Sequence, residues 1–420
     1  MPGAQHRDLP EHLPFPALDP ELSPSGMMRR RLRNLGLAAV AIAILAGLGG
    51  LATYLVHALA APGGGRHAAA RQGARTLPAA SAPAGTVLSQ TPRGALTLSG
   101  LRGQRPTVLM SLPRQVYVSA TADNRYLVTT NGLLLSVGPG DHLTTTRLKD
   151  VSFSTWSAGG PEPLADGDRY LALQDFNTSN SPADGSPIAI RALSTGRSRS
   201  LGTGDLMSAD PAAAGVITSL PAPVVATSTA SSAPSNGGWP DGKVVLRDAG
   251  RKDVLLGTAT QLKADVHLPA ATPVYLFPAP DPAGDKIAIV VEPEVGQSLA
   301  GVVVVSRTGR VLYALSGAGL HVSASWSQSG ESLAMPAQVA HGSVLHIWNA
   351  SGRTSVQRFP GRGEYGGCYW SPDGSWILCE VGGPHASGEQ WAVASASGGP
   401  MVITTGPGYP IAWLARGPGA

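Results

Sequence analysis

Charge is scarce in this chain. Only 14% of its 420 residues are Asp, Glu, Lys or Arg, and Lys stands at just five positions. Beyond residue 70 no Lys/Arg stripe interleaves with aromatics, so the electrostatic footprint of a nucleic-acid binder is missing. Aromatics make up 5% and cysteines number two, too few for a disulfide-stapled scaffold. Catalytic signatures are also wanting. There is no G-x-S-x-G elbow, H-E-x-x-H helix, P-loop or C-x-x-C pair. No cofactor and no metal site is expected on these grounds.

What is abundant is turn chemistry. Gly at 53 and Pro at 36 fit many short strands joined by tight turns better than long amphipathic helices. Three tryptophans mark a repeat: Trp326 in SASWSQSG, Trp370 in GCYWSPDG and Trp413 in IAWLARG, 44 and 43 residues apart. A period of about 40–50 residues with several strands per unit is the pattern of a β-propeller.

One long apolar run precedes the repeats. Residues 35–61, LGLAAVAIAILAGLGGLATYLVHALAA, contain no Asp, Glu, Lys or Arg and exceed the ~20 residues needed to cross a bilayer. Arg29, Arg30, Arg31 and Arg33 stand immediately before it, which orients the N-terminus to the cytoplasm. The expectation is a disordered cytoplasmic segment over 1–34, a transmembrane helix over 35–61, a flexible linker over 62–85 and an extracytoplasmic domain over 86–420. A cleaved signal peptide is the alternative, since Ala58-Leu59-Ala60 has the small-x-small form, although the apolar run is longer than the ~7–15 residues usual for one.

From residue 86 the grammar is strand, tight turn, strand, variable loop, strand, turn, strand. Six such units can be traced. The C-terminal YPIAWLARG looks like a first strand without successors, and the early GALTLSGLRGQRPTVLMSLP looks like later strands without a first. Joined, they make a seventh unit closed by both termini, which removes free sheet edges. The fold expected is all-β: a propeller of four-stranded blades, seven in number, with six as the alternative. The WSPDG motif at Trp370–Gly374, with weaker copies at Trp326–Gly330 and Asp281–Gly284, resembles the WD40-like PD40 repeats of TolB-type propellers. That resemblance implies an exported propeller acting through protein contacts. It departs from the family in lacking an α/β domain before the propeller and in carrying an apolar anchor.

The repeated tryptophans are expected to pack between blades. Cys368 and Cys379 flank the SPDG hairpin and form a possible disulfide, depending on register. A two-residue turn at Asp373-Gly374 sets them opposite one another. A type I turn over Pro372-Asp373 with a bulge at Gly374 shifts the pairing by one and separates them, and Pro372, lacking an N–H, favours this second register. Asp166-Gly-Asp168 and Asp281–Asp285 have some calcium-loop flavour but fall where the repeat wants turns. His341 and His346 are read as loop and strand residues.

The long loops between second and third strands, Asp175–Pro187, Pro221–Asp241, Pro293–Ala300 and Gly382–Glu389, all emerge on one face. Variable loops on a rigid scaffold commonly carry binding. Candidate binding residues there are Trp239, Asp175, Asn177, Glu292, Glu294 and His385, with Glu292 and Glu294 expected in a solvated loop. The partner expected is an envelope protein or cell-surface component, with the membrane engaged through 35–61 and no nucleic acid. A second reading is an enzyme or small-ligand sensor at the central channel mouth, drawing on His267, His321, His385, Asp141, Asp205 and Glu364.

Overall fold

The computed structural model describes residues 85–414, apart from 102–105, 114–115, 117, 122–125, 130–132, 138–142, 148–163, 175–185, 221–241, 295–298, 341, 361–363 and 383–389. Residues 1–84, where a cytoplasmic segment, a transmembrane helix and a linker are expected, lie outside the described residues. Among those described, no helix is long and apolar enough to cross a membrane.

Nearly everything described is antiparallel sheet built from consecutive strands. Strands β1 (Thr86–Gln90), β2 (Ala95–Gly100) and β3 (Thr107–Ser111) form one sheet whose remaining member is the last strand of the chain, Tyr409–Leu414. Next come β4 (Val118–Ala120), β5 (Tyr126–Thr129), β6 (Leu133–Val137) and β7 (Leu143–Arg147). A larger sheet follows: β8 (Leu164–Ala165), β9 (Tyr170–Gln174), β10 (Ser186–Ala192), β11 (Ser198–Ala209), β12 (Gly215–Leu220), β13 (Lys243–Asp248) and β14 (Val254–Thr258). Three four-stranded sheets complete the set. They are β15 (Val274–Pro280), β16 (Lys286–Pro293), β17 (Ala300–Ser306) and β18 (Val311–Gly319); β19 (Ser325–Trp326), β20 (Ser332–Val339), β21 (Gly342–Asn349) and β22 (Thr354–Arg358); and β23 (Glu364–Trp370), β24 (Trp376–Gly382), β25 (Gln390–Ser395) and β26 (Val402–Thr405). The last strand is β27 (Tyr409–Leu414).

β11 explains the larger sheet. Its first half pairs with β10, and its second half, from Asp205 to Ala209, pairs with β12. One long strand thus serves two sets of four. Closure by the termini is realised directly, because Thr86–Gln90 pairs with Tyr409–Leu414.

Side chains agree with this order. Central strands such as β17, AGVVVVS, are β-branched and buried over most of their length, as strands covered on both faces should be. Apolar clusters fill the spaces between several pairs of successive sheets. One joins Ile217 and Leu246 to Leu276 and Ile289. Another joins Val290 and Val302 to Trp326 and Met335, and a third joins Leu345 and Ile347 to Trp370 and Ile377. Leu378 and Trp391 then meet Val87 and Trp413, and Leu88 and Leu96 meet Val118 and Leu127. The last sheet is therefore packed back onto the first, an arrangement consistent with a β-propeller.

Trp326, Trp370 and Trp413 are 8%, 2% and 0% exposed and occupy the first strands of three consecutive sheets. Trp326 Nε1 donates to the Ala279 carbonyl on β15 at 2.9 Å, and Trp370 Nε1 donates to the Ser325 carbonyl on β19 at 2.9 Å. The indoles of Trp326 and Trp370 thus each satisfy an acceptor on the first strand of the preceding sheet while their rings fill the gap between the two. The interblade packing expected of these residues is what the structure has.

Between β14 and β15 lies a short helix, α1 (Ala259–Asp265), which the strand grammar did not anticipate. Thr258 caps it by accepting from the Gln261 amide at 3.2 Å, and the segment ATQLKAD is mostly good helix formers. The strand pairing with β9 is the two-residue Leu164–Ala165.

The SPDG hairpin resolves the cysteine register in an unforeseen way. Gly374 N–H donates to the Ser371 carbonyl at 2.8 Å across Pro372-Asp373, and Gly374 takes φ +68, as a type I turn followed by a left-handed residue requires. The loop also takes in Ser375, however. Ser371 N–H donates to the Trp376 carbonyl at 2.9 Å, so Trp370 pairs with Ile377 and Cys368 with Cys379. Pro372 is accommodated outside the ladder without the one-residue shift, and the two cysteines are disulfide-bonded.

Candidate binding face

In an antiparallel sheet of consecutive strands, alternate connections fall on opposite sides. Turns between first and second strands, and between third and fourth, share one side. Connections between second and third strands share the other with the sheet-to-sheet links.

The first side is knitted together. Residues opening the first turn, Asp210, Asp281, Ser327 and Ser371, are each at most 1% exposed. Arg307 reaches from the β17–β18 turn to Asp210 at 2.7 Å and to Asp248 at 3.1 Å, and donates to the Gly284 carbonyl at 3.2 Å. Lys286 donates to the Gly330 carbonyl at 3.1 Å and lies 3.5 Å from both Asp281 and Glu331. Asp281 Oδ1 accepts the amides of Asp285 and Lys286, at 2.8 and 3.1 Å. Those bonds spend the carboxylate on its own turn, so Asp281–Asp285 is a structural turn. Asp166 likewise pairs with Arg169 at 2.7 Å. Among the described residues no cluster of three His, Cys, Asp or Glu is placed to hold a metal ion. His346 sits in β21, where burial lowers its pKa and Ala318 O lies 3.2 Å from Nε2.

The second side gathers the sequence candidates. Glu292 belongs to β16 rather than to a loop, because the strand runs on through Pro293. Its Oε1 meets Nδ1 of His321, in the β18–β19 link, at 2.9 Å. Glu294 just beyond is exposed and accepts from the Tyr275 hydroxyl at 3.0 Å. His267, between α1 and β15, meets the Ser316 hydroxyl at 2.9 Å. His321 is 75% exposed and Glu292 23%. The loop bounds also shift: Pro187 lies inside β10 and Gly382 inside β24.

Asp205 stands where β11 passes from one set of strands to the next. Its Oδ1 takes the Gln174 amide at 3.3 Å. Gln174 Nε2 also donates to the Gly204 carbonyl at 3.2 Å, and its Oε1 accepts the Leu206 amide at 3.1 Å. Burial pushes the Asp205 carboxyl above the ordinary range, against the opposing pull of Gln174.

The structure therefore brings Glu292 together with His321, two residues first assigned to different readings. It gives Glu294, His267 and Asp205 separate partners: Tyr275, Ser316 and Gln174. Those three partners were missed, and no spacing rule links any of them to its mate. Trp239, Asp175, Asn177, His385 and Asp141 lie outside the described residues, as does the side chain of Glu364, which begins β23.

No protein-family profile matches the chain, and no curated protein is similar to it. Among solved structures it aligns with hydrazine synthase of Kuenenia stuttgartiensis at 11% identity and TM-score 0.42, over 67% of this chain and 76% of that one. It aligns with TolB from Acinetobacter baumannii at 12% identity and TM-score 0.36, over 80% and 68%. Alignment with a prolyl endopeptidase has 12% identity and TM-score 0.42, over 77% of this chain and 52% of that one, so the chain spans about half the endopeptidase. Likeness at these levels assigns no activity.

Proposed function

We propose that the chain is a membrane-anchored, extracytoplasmic, seven-bladed propeller that binds an envelope protein or cell-surface component through its long-loop face, without catalysis. The observation that carries this is the contrast between the two sides. On one, buried charged side chains are consumed in latches between neighbouring sheets, typified by Arg307 with Asp210 and Asp248. On the other, the exposed polar groups His321 and Glu294 stand in the β18–β19 and β16–β17 connections.

Dividing β11 supports the blade count: four strands end with its first half and four begin with its second. The anchor rests on residues 35–61 and the preceding arginines. A disulfide between Cys368 and Cys379 is in keeping with an oxidising compartment.

The test is in-cell crosslinking of the tagged full-length protein, followed by mass spectrometry of captured proteins. A variant combining Glu292→Gln, Glu294→Gln and Trp239→Ala should lose a partner that the wild type retains. Undiminished capture by that variant, or substrate turnover by the full-length protein, contradicts the proposal.

A further inference from the structure

β23 and β24 fall out of step between Tyr365 and Cys368, so Gly366 and Gly367 together oppose Glu380 in a β-bulge. Neither glycine has a left-handed φ, so the backbone does not demand them. What they provide is room. A Cβ on Gly366 would lie 3.0 Å from Glu380 Oε2, and one on Gly367 would lie 3.2 Å from the Tyr369 hydroxyl oxygen. The carboxylate of a second strand is thereby folded back over the first strand, beside the phenol.

Both residues are half-buried rather than sealed. Neither the carboxylate nor the hydroxyl is among the solvent-excluded unpaired atoms of the chain, and neither has a hydrogen-bond partner among the described residues. Solvent therefore reaches both polar ends. Burial raises the pKa of each, and the Glu380 charge adds to the rise at Tyr369. Elsewhere the chain supplies its own counter-groups: Lys286 for Asp281, Arg307 for Asp210 and His321 for Glu292. Among the described residues none stands against Glu380.

Glycine inside a strand often marks a place where a ligand or another chain comes close, and bulges are over-represented beside functional sites. We infer that Glu380 and Tyr369, over the Gly366–Gly367 bulge, form a site for one primary ammonium group, carried by a small amine or by the end of a lysine side chain. The ammonium donates to Glu380 Oε2, which supplies the counter-charge, and to the Tyr369 hydroxyl oxygen. Tyr369 packs on the apolar cluster of Leu378, Trp391 and Trp413, and that low-dielectric backing strengthens both bonds. The site does not rest on the interaction reading above.

Ligand-observed saturation-transfer NMR on the full-length protein tests this with ethylammonium, Nα-acetyl-lysine N-methylamide and uncharged ethanol. Saturable binding of an amine is expected, and none of ethanol. Binding of ethylammonium alone assigns a small amine, and binding of both amines admits a lysine end. Glu380→Gln should weaken amine binding by about tenfold or more, the scale of a charge-assisted hydrogen bond. Gly366→Ala should weaken it because the new Cβ displaces the carboxylate, and Tyr369→Phe should weaken it less than Glu380→Gln. Glu331→Gln, on the opposite side of the sheets, should leave it unchanged. Undiminished binding by Glu380→Gln, no binding of either amine, or ethanol bound as well as ethylammonium overturns the site.

Thermal melting without ligand gives an independent reading. Glu380→Gln should melt no lower than wild type, because it removes a half-buried charge that has no counter-group. A clear fall in Tm would mark the carboxylate as structural and overturn the assignment.

Discussion

The indole Nε1 of Trp370 donates to the carbonyl oxygen of Ser325 at 2.9 Å, tying β23 to the first strand of the sheet before it. Trp326 makes the same bond to Ala279, one sheet earlier. A first strand has a free edge toward the centre of the ring, and the indole supplies a donor while its ring seals the gap. Trp370→Phe keeps most of the ring but strands the Ser325 carbonyl, so it should destabilise by about 1–3 kcal/mol. Trp370→Ala adds a cavity and should cost about 3–5 kcal/mol. Denaturant unfolding of both variants checks the order.

Gly330 and Gly374 hold the same place in two successive turns and share φ +68. They differ in what a side chain would meet. A Cβ on Gly374 finds only Ser327 Cβ at 4.0 Å, while one on Gly330 would lie 2.5 Å from Asp281 Oδ2. Gly374→Ala should therefore cost only the left-handed penalty of about 1–2 kcal/mol. Gly330→Ala should cost more, because the Asp281 carboxylate must give up amide bonds or its Lys286 contact. Equal losses in the two variants would show that this close approach is unimportant.

The disulfide closes a short loop, since Cys368 and Cys379 are 11 residues apart. In the chain-entropy account it contributes about 2–3 kcal/mol by restricting the unfolded state. Cys368→Ala/Cys379→Ala should lower the denaturation midpoint accordingly. The cysteines are 4% and 0% exposed, so thiol labelling of the native protein should stay slow even with reductant present.

Stability should depend on pH through Asp205. Its folded-state pKa is raised, chiefly by burial. A carboxyl of that kind favours folding while protonated. Its contribution is full below the unfolded value, about 3.9. It is lost as pH rises through the folded value, and it is flat above that. Asp265, Asp281 and Glu380 shift in the same direction, so the isolating measurement is a difference. Stability of Asp205→Asn relative to wild type should rise from pH 3 upward and then level. A flat difference would mean that Asp205 titrates alike in both states.

Much of this architecture is legible in the chain. The spacing of Trp326, Trp370 and Trp413 reports the repeat because each is a buried residue of a first strand packed between sheets. Other features escape because their determinants are not periodic. α1 is a single capped turn or two inserted between β14 and β15, and β8 is two residues long, too short for any alternation to register. The hairpin register turned on whether Ser375 joined the loop, which backbone bonding decides and composition does not. On the long-loop side the side-chain partnerships were not readable. Glu292 and His321 lie 29 positions apart, and Gln174 and Asp205 lie 31 apart, each pair brought together by sheet geometry alone.

The most direct test of the interaction reading is a photo-crosslinking amino acid placed in the full-length protein at His321 and, separately, at Glu331. These side chains are 75% and 61% exposed, on opposite sides of the sheets. The account predicts a discrete crosslinked partner in cells from position 321 and none from position 331. Adducts from position 331 alone, or the same adducts from both, would contradict it.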